Sequence, residues 1–142
     1  MNNPSIICRK LQVAAINSAV EIDLTGQVCA DSFGAKVISG VGVQMNFMRG
    51  AALSGNSKPI IALPNQTKHG HPRFVAQLKP GAGVVTTRLH VQFVATEYGV
   101  DQLYGKTLSE RDQSLIAIAH PSDRERLLQS FFKNFSNKNY QS

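Results

Sequence analysis

The stretch from Ile38 to Ala51 reads Ile-Ser-Gly-Val-Gly-Val-Gln-Met-Asn-Phe-Met-Arg-Gly-Ala. Gly40 and Gly42 open a length of backbone free of bulky side chains, and a helical pattern follows at once. Glycine takes positive φ readily and lets main-chain N–H groups approach another atom closely. Gln44 to Leu53 reads as the helix, with Met45, Phe47, Met48 and Ala52 as its apolar stripe. The free N–H groups at the start of that helix, and the positive end of its dipole, would add to those of the loop. Together they make a seat for an anion, or for an oxygen that becomes negative during reaction. The plain alternative is a tight turn ahead of a core-packing helix.

The segments around this stretch are short and strand-like. Pro4 to Lys10 reads as a helical turn or connector. Val13–Ile16 and Val20–Leu24 read as strands interrupted by Asn17-Ser18, and the second alternates apolar with acidic residues as a half-exposed strand does. Val28–Ala30 is a third extended piece, and Asp31–Gly34 a loop. Pro59–Pro64 is an apolar run bounded by prolines, the pattern of a buried strand. Arg73–Leu78, the β-branched Val84–Thr87 and Val91–Thr96 are further strands. Two helices close the chain. One starts at Thr107 with Glu110 three residues on, a capping-box pattern, and uses Leu108, Leu115, Ile116 and Ile118 as its apolar face. The other starts near Pro121 and carries Leu127, Leu128, Phe131, Phe132 and Phe135. This is an α/β domain: a mixed sheet with covering helices. The domain is expected to span 1–135, with a polar, disordered tail over 136–142.

Charge is unevenly placed. No Asp or Glu occurs between Asp31 and Glu97, while that interval holds Lys36, Arg49, Lys58, Lys68, Arg73, Lys79 and Arg88. The net charge is +6. A solvated basic face and a field around a phosphate-bearing small molecule both suit this. Nucleic acid is not expected, because the basic residues are spaced singly and are not interleaved with aromatics. No apolar run reaches membrane-spanning length. Met1–Ser5 has no basic stretch leading into an apolar core, so a cytoplasmic location is expected, or a mitochondrial one in a eukaryote. Cys8 and Cys29 read as reduced, partly buried thiols.

No complete catalytic set is evident. No serine sits in a Gly-x-Ser-x-Gly elbow. His69 and His71 lack a third ligand, so no metal site is expected. Neither a Walker loop nor a dinucleotide fingerprint occurs. Glu21 and Asp23 share one strand face and are expected to be solvent-facing or ion-paired. The Asn65–Pro72 loop, with Lys68, has groups that hold phosphates and also suits an exposed hairpin connection.

Several motifs in order resemble one family. They are Ala15–Val28 (AINSAVEIDLTGQV), Ser39–Gly42 with Phe47 and Arg49–Ala51, Ile60–Pro64, Leu78–Arg88, Thr96–Val100 and Ile116–Pro121. They resemble the C-terminal domain of the acetyl-CoA hydrolase/transferase family, which includes 4-hydroxybutyrate, butyrate and acetate CoA-transferases. The resemblance implies the second of two similar α/β domains. It also implies transfer of CoA from an acyl-CoA to a short-chain carboxylic acid through a glutamyl-CoA thioester. Coenzyme A would then be a substrate, with no permanently bound cofactor. Asn17 matches a family asparagine near the thioester, and Gly42 a backbone N–H that stabilises the oxyanion. Gly40, Val43, Gln44 and Lys68 would border the substrate.

The family's nucleophilic glutamate matches no residue here; Glu21 and Glu97 fall at other positions. The expected partners are therefore an N-terminal CoA-transferase domain or subunit, or a further copy in a homo-oligomer. The alternative is a truncated, non-catalytic module that binds CoA or a protein. Val43 stands where the family pattern has glycine, and Asn46 where it has aspartate. A β-branched residue at positive φ would strain such a turn.

Overall fold

The computed structural model describes residues 14–38, 44–54 and 58–138 of the 142. The connector expected over Pro4–Lys10, Cys8, and the loop residues Gly40, Gly42 and Val43 lie outside the described residues, as do the side chains of Met45 and Phe135.

Four strands make the main sheet: β1 (Ala14–Ser18), β6 (Lys58–Ala62), β8 (Phe93–Thr96) and β9 (Gly99–Gln102), in the order β1-β6-β8-β9. The first three are parallel and β9 turns back antiparallel. The register sets Ser18 beside Ala62 and Ala62 beside Ala95, so the carboxyl ends of the parallel strands form one edge. A second sheet, in the order β3-β2-β7, joins β2 (Glu21–Asp23), β3 (Val28–Cys29) and β7 (Phe74–Val75). A hairpin pairs β4 (Ser32–Phe33) with β5 (Lys36–Val37).

The helix expected after the glycines is α1 (Gln44–Leu53), which crosses from β1 to β6 and packs on both. It buries Met48 and Ala51 completely. The closing helices are α2 (Leu108–Ala117) and α3 (Pro121–Lys138). The capping box forms as expected: Glu110 N donates to Thr107 Oγ1 at 3.3 Å, and Thr107 N donates to Glu110 Oε2 at 2.7 Å. Leu115, Ile116 and Ile118 are buried, but Leu108 is exposed, and the buried residue of that first stretch is Arg111. Its guanidinium can sit there because it donates to Arg88 O at 2.6 Å and Lys106 O at 3.3 Å. Helix α3 keeps its ladder through Lys138, so residues 136–138 are helical. One contiguous core, including Ile22, Met48, Ile61, Phe74, Val94, Leu115 and Leu127, lies among these elements.

Several strand expectations change. Asn17 and Ser18 do not break the first strand; they are its last two residues, paired opposite Ile61 and Ala62. Strand β2 is buried at every residue, not half exposed. It is the central strand of its sheet, and the side chains on both of its faces are covered. Glu21 is 1% exposed and pairs with Lys79 Nζ at 2.8 Å, as a bare ion pair with no directed hydrogen bond to either oxygen. Asp23 is buried because its Oδ1 accepts from Thr25 N, Thr25 Oγ1 and Gln27 N, bracing the turn that follows. That turn places Gly26 at φ 91°, where a side chain would be strained. Of Val84–Thr87 only Thr86 makes a β-bridge, to Val28. Strand β9, where only a strand end at Gly99 was expected, exists because Glu97-Tyr98 reverses the chain and Gly99 accepts φ 148°.

Candidate functional site

In sheets of this kind ligands bind in the crevice outside the carboxyl ends of the strands. Here a cleft of about 600 Å³ opens at that edge, lined by Ala62, Leu63 and Pro64 after β6 and by Ala95, Thr96 and Glu97 at the end of β8. A smaller cavity of about 220 Å³ lies along β1, between Ala14, Ala15, Ile16, Asn17 and Phe47 of α1. Ends of β1 and β8 are two strand spacings apart, about 10 Å.

The wall at β6 and β8 is held by Asn65, which is 1% exposed. Its main-chain N donates to both oxygens of Glu97, at 3.1 and 3.0 Å. Its Nδ2 donates to Glu97 Oε2 at 3.3 Å and Ile118 O at 3.1 Å, and its Oδ1 accepts from His120 N at 3.0 Å. Thr96 Oγ1 adds a bond to Ile118 O at 2.8 Å. One side chain thus ties the exit of β6, the β8–β9 turn and the junction of α2 and α3. Burial pushes the Glu97 carboxyl up. The N–H groups of its own backbone and of Asn65, with the Asn65 amide and the His120 charge, outweigh this and hold it below the ordinary glutamate value.

The wall at β1 is built differently. Asn17 stands one residue before the strand ends, and its Nδ2 is buried with no acceptor among the described residues. Gln44, the first residue of α1, donates through Nε2 to Ser18 O at 3.2 Å. The start of the helix is thereby fastened to the carboxyl end of β1. Gln44, distant in sequence, is held at the residue next to Asn17.

Lys68 is not beside them. It lies exposed on the turn after Asn65. That turn is a closed hairpin connection: Thr67 N donates to His71 O, and Thr67 Oγ1 accepts from His69 N and His71 N. The hydroxyl is spent on its own backbone, and Gln66 Nε2 reaches Asp123 Oδ2 at 3.0 Å. No cluster of His, Cys, Asp and Glu among the described residues could hold a metal ion, and no helix among them is long and apolar enough to cross a membrane. Sequence reasoning passed over Asn65 as a structural node. The available signal was an asparagine placed directly after an apolar strand run, where a side-chain amide can serve the strand end.

The model of the acetyl-CoA hydrolase/transferase C-terminal domain matches residues 1–131. A succinyl-CoA:acetate/propanoyl-CoA:succinate CoA transferase of Fasciola hepatica is 51% identical over 93% of this chain and 28% of its own length. A 4-hydroxybutyrate coenzyme A transferase of Clostridium kluyveri is 49% identical over 95% of this chain and 32% of its own. Among solved structures, RipA from Yersinia pestis superposes with a TM-score of 0.87 at 32% identity, covering 94% of this chain and 30% of that one. The chain therefore spans about a third of the length of the curated relatives it matches. It belongs to the acetyl-CoA hydrolase/transferase family, to whose C-terminal domain it corresponds.

Proposed function

We propose that this chain forms the carbonyl-binding side of a CoA-transferase site that moves CoA between an acyl-CoA and a short-chain carboxylate. A glutamate from an N-terminal domain or subunit supplies the nucleophile. Its carboxylate attacks the thioester carbonyl, the C–S bond breaks, and an acyl-glutamyl anhydride and CoA thiolate result. The thiolate attacks the glutamyl carbonyl, releasing the acyl group as a carboxylate and leaving glutamyl-CoA. A second carboxylate runs the same steps in reverse. Each tetrahedral intermediate places negative charge on one oxygen. Donors already aimed at that oxygen lower the barrier, because they need no reorganisation when the charge appears.

The observation that carries this reading is the Asn17 amide. A buried donor without an acceptor is costly in a folded protein, and at Asn17 it stands at the strand end where the family places its thioester. Asn17 donates to the oxyanion with the Gly42 main-chain N–H, while Gly40, Val43 and Gln44 border the acyl group. Lys68 and the basic interval meet the phosphates of coenzyme A, which is a substrate here and not a resident group. Residues 1–135 act as the domain and 136–142 as its tail, in the cytoplasm or, in a eukaryote, the mitochondrion.

The test joins the chain to an N-terminal domain of the family and measures acetate-dependent transfer of CoA from butyryl-CoA and 4-hydroxybutyryl-CoA, with hydroxylamine to trap glutamyl-CoA. Transfer and a trapped thioester are expected. A correctly folded complex that neither transfers CoA nor yields the thioester with any acyl-CoA would refute the proposal.

A further inference from the structure

Arg73 stands immediately before β7 and bridges the chain beyond two strand ends at the carboxyl edge. Its main-chain N–H donates to Asn65 O at 2.8 Å, beyond β6, and its guanidinium Nη1 donates to Ala19 O at 3.0 Å, one residue beyond β1. The carbonyl before that, Ser18 O, is taken by the Gln44 amide. Two side chains from distant parts of the chain therefore hold consecutive carbonyls directly after Asn17.

The rest of the guanidinium is poorly served. Its Nε is buried with no acceptor, and no carboxylate lies within ion-pair range of Arg73 among the described residues. An arginine kept for fold stability finds a carboxylate or several carbonyls for its fork of donors. Among the described residues its side chain makes a single bond, to the carbonyl of Ala19 just beyond the Asn17 strand end. Among the described strands β1 pairs only with β6, so the last residues of β1 have a ladder on one side. A bond from a charged donor is about twice as strong as a neutral one, which suits it to fixing that free end.

We propose that Arg73 is a positioning residue. It fixes the Ala19–Val20 peptide, next to the Ser18–Ala19 peptide that Gln44 holds, and through that segment the direction of the Asn17 amide toward the developing oxyanion, with Gln44 as a second and weaker hold. The inference rests on the reading of Asn17 given above and adds the groups that aim it.

A double-mutant cycle in the complex with the N-terminal domain tests both levels. Arg73→Met is expected to lower kcat roughly 10- to 100-fold, the effect of misplacing a reacting group by an ångström or less, with KM for the acyl-CoA little changed. In the Asn17→Ala background the same substitution is expected to lower kcat no further, since the group it aims is gone. Losses that multiply overturn the positioning role. An Asn17→Ala variant with unchanged kcat overturns the reading of Asn17 itself, and the positioning role with it. Should the methionine variant fail to fold, Arg73→Lys, which keeps one charged donor, carries the same cycle. Guanidinium ion added to Arg73→Ala is expected to restore part of kcat, and to restore none in the double variant; equal restoration in both overturns the proposal.

Discussion

Asn65 and Asn17 stand at the same edge of the same sheet, Asn17 on β1 and Asn65 in the loop that leaves the neighbouring β6. Asn65 spends every polar atom of its side chain, on Glu97, Ile118 and His120, and joins three segments that are far apart in sequence. Asn17 keeps a buried Nδ2 without an acceptor among the described residues. The difference separates two uses of one residue type. A saturated amide lowers the energy of the fold; an unspent buried donor raises it, which fits the oxyanion role proposed for Asn17.

The largest effect should come from breaking the saturated member. Asn65→Ala removes three side-chain bonds and leaves the His120 N–H unmet, while the Ile118 carbonyl keeps only Thr96 Oγ1, at a cost of roughly 3 kcal/mol. Urea unfolding should show a lowered midpoint; a midpoint within error of the parent would show that Asn65 is no node. Asn17→Ala should reverse the pattern. It is expected to lower kcat about 100-fold, the size of losing one oxyanion donor, while thermal stability stays level or rises slightly. A loss of stability larger than the loss of activity would put Asn17 in the same class as Asn65.

Smaller effects sharpen the contrast by marking what ordinary local interactions contribute. Thr107→Ala breaks the capping box at the start of α2 and should cost about 1 kcal/mol in denaturant unfolding, with kcat per folded molecule unchanged. A change in kcat would link the cap to the site. The smallest is the acid response of the Asn65 node. Glu97 has its folded pKa depressed below the unfolded value. Its contribution is therefore present above the unfolded pKa and is lost as pH falls through the folded one, below the ordinary glutamate range near about pH 4. Glu97→Gln should flatten that part of the stability–pH curve, and an unchanged slope would show that the carboxylate is not held by Asn65 in solution.

Much of this was legible in the residues. The Thr107–Glu110 box acts over three positions, so the pattern and the contact are nearly the same thing. The apolar run ending at Pro64 and the helix beginning at Gln44 likewise depend on neighbours a few residues away. The ordered motifs from Ala15 to Pro121 carried the family. What the chain could not disclose locally is which polar groups are spent. Glu21 reads as a surface carboxylate until β3 and β7 flank its strand and Lys79 arrives from 58 positions away to pair with it. Asn65 reads as a loop residue until Glu97 and Ile118 close around it. Arg73 reads as one more basic residue in a basic interval until its guanidinium meets Ala19 O. The reason is the same in each case. Periodicity and capping are set by the geometry of one segment, whereas burial and hydrogen-bond satisfaction belong to groups that only the folded chain brings together.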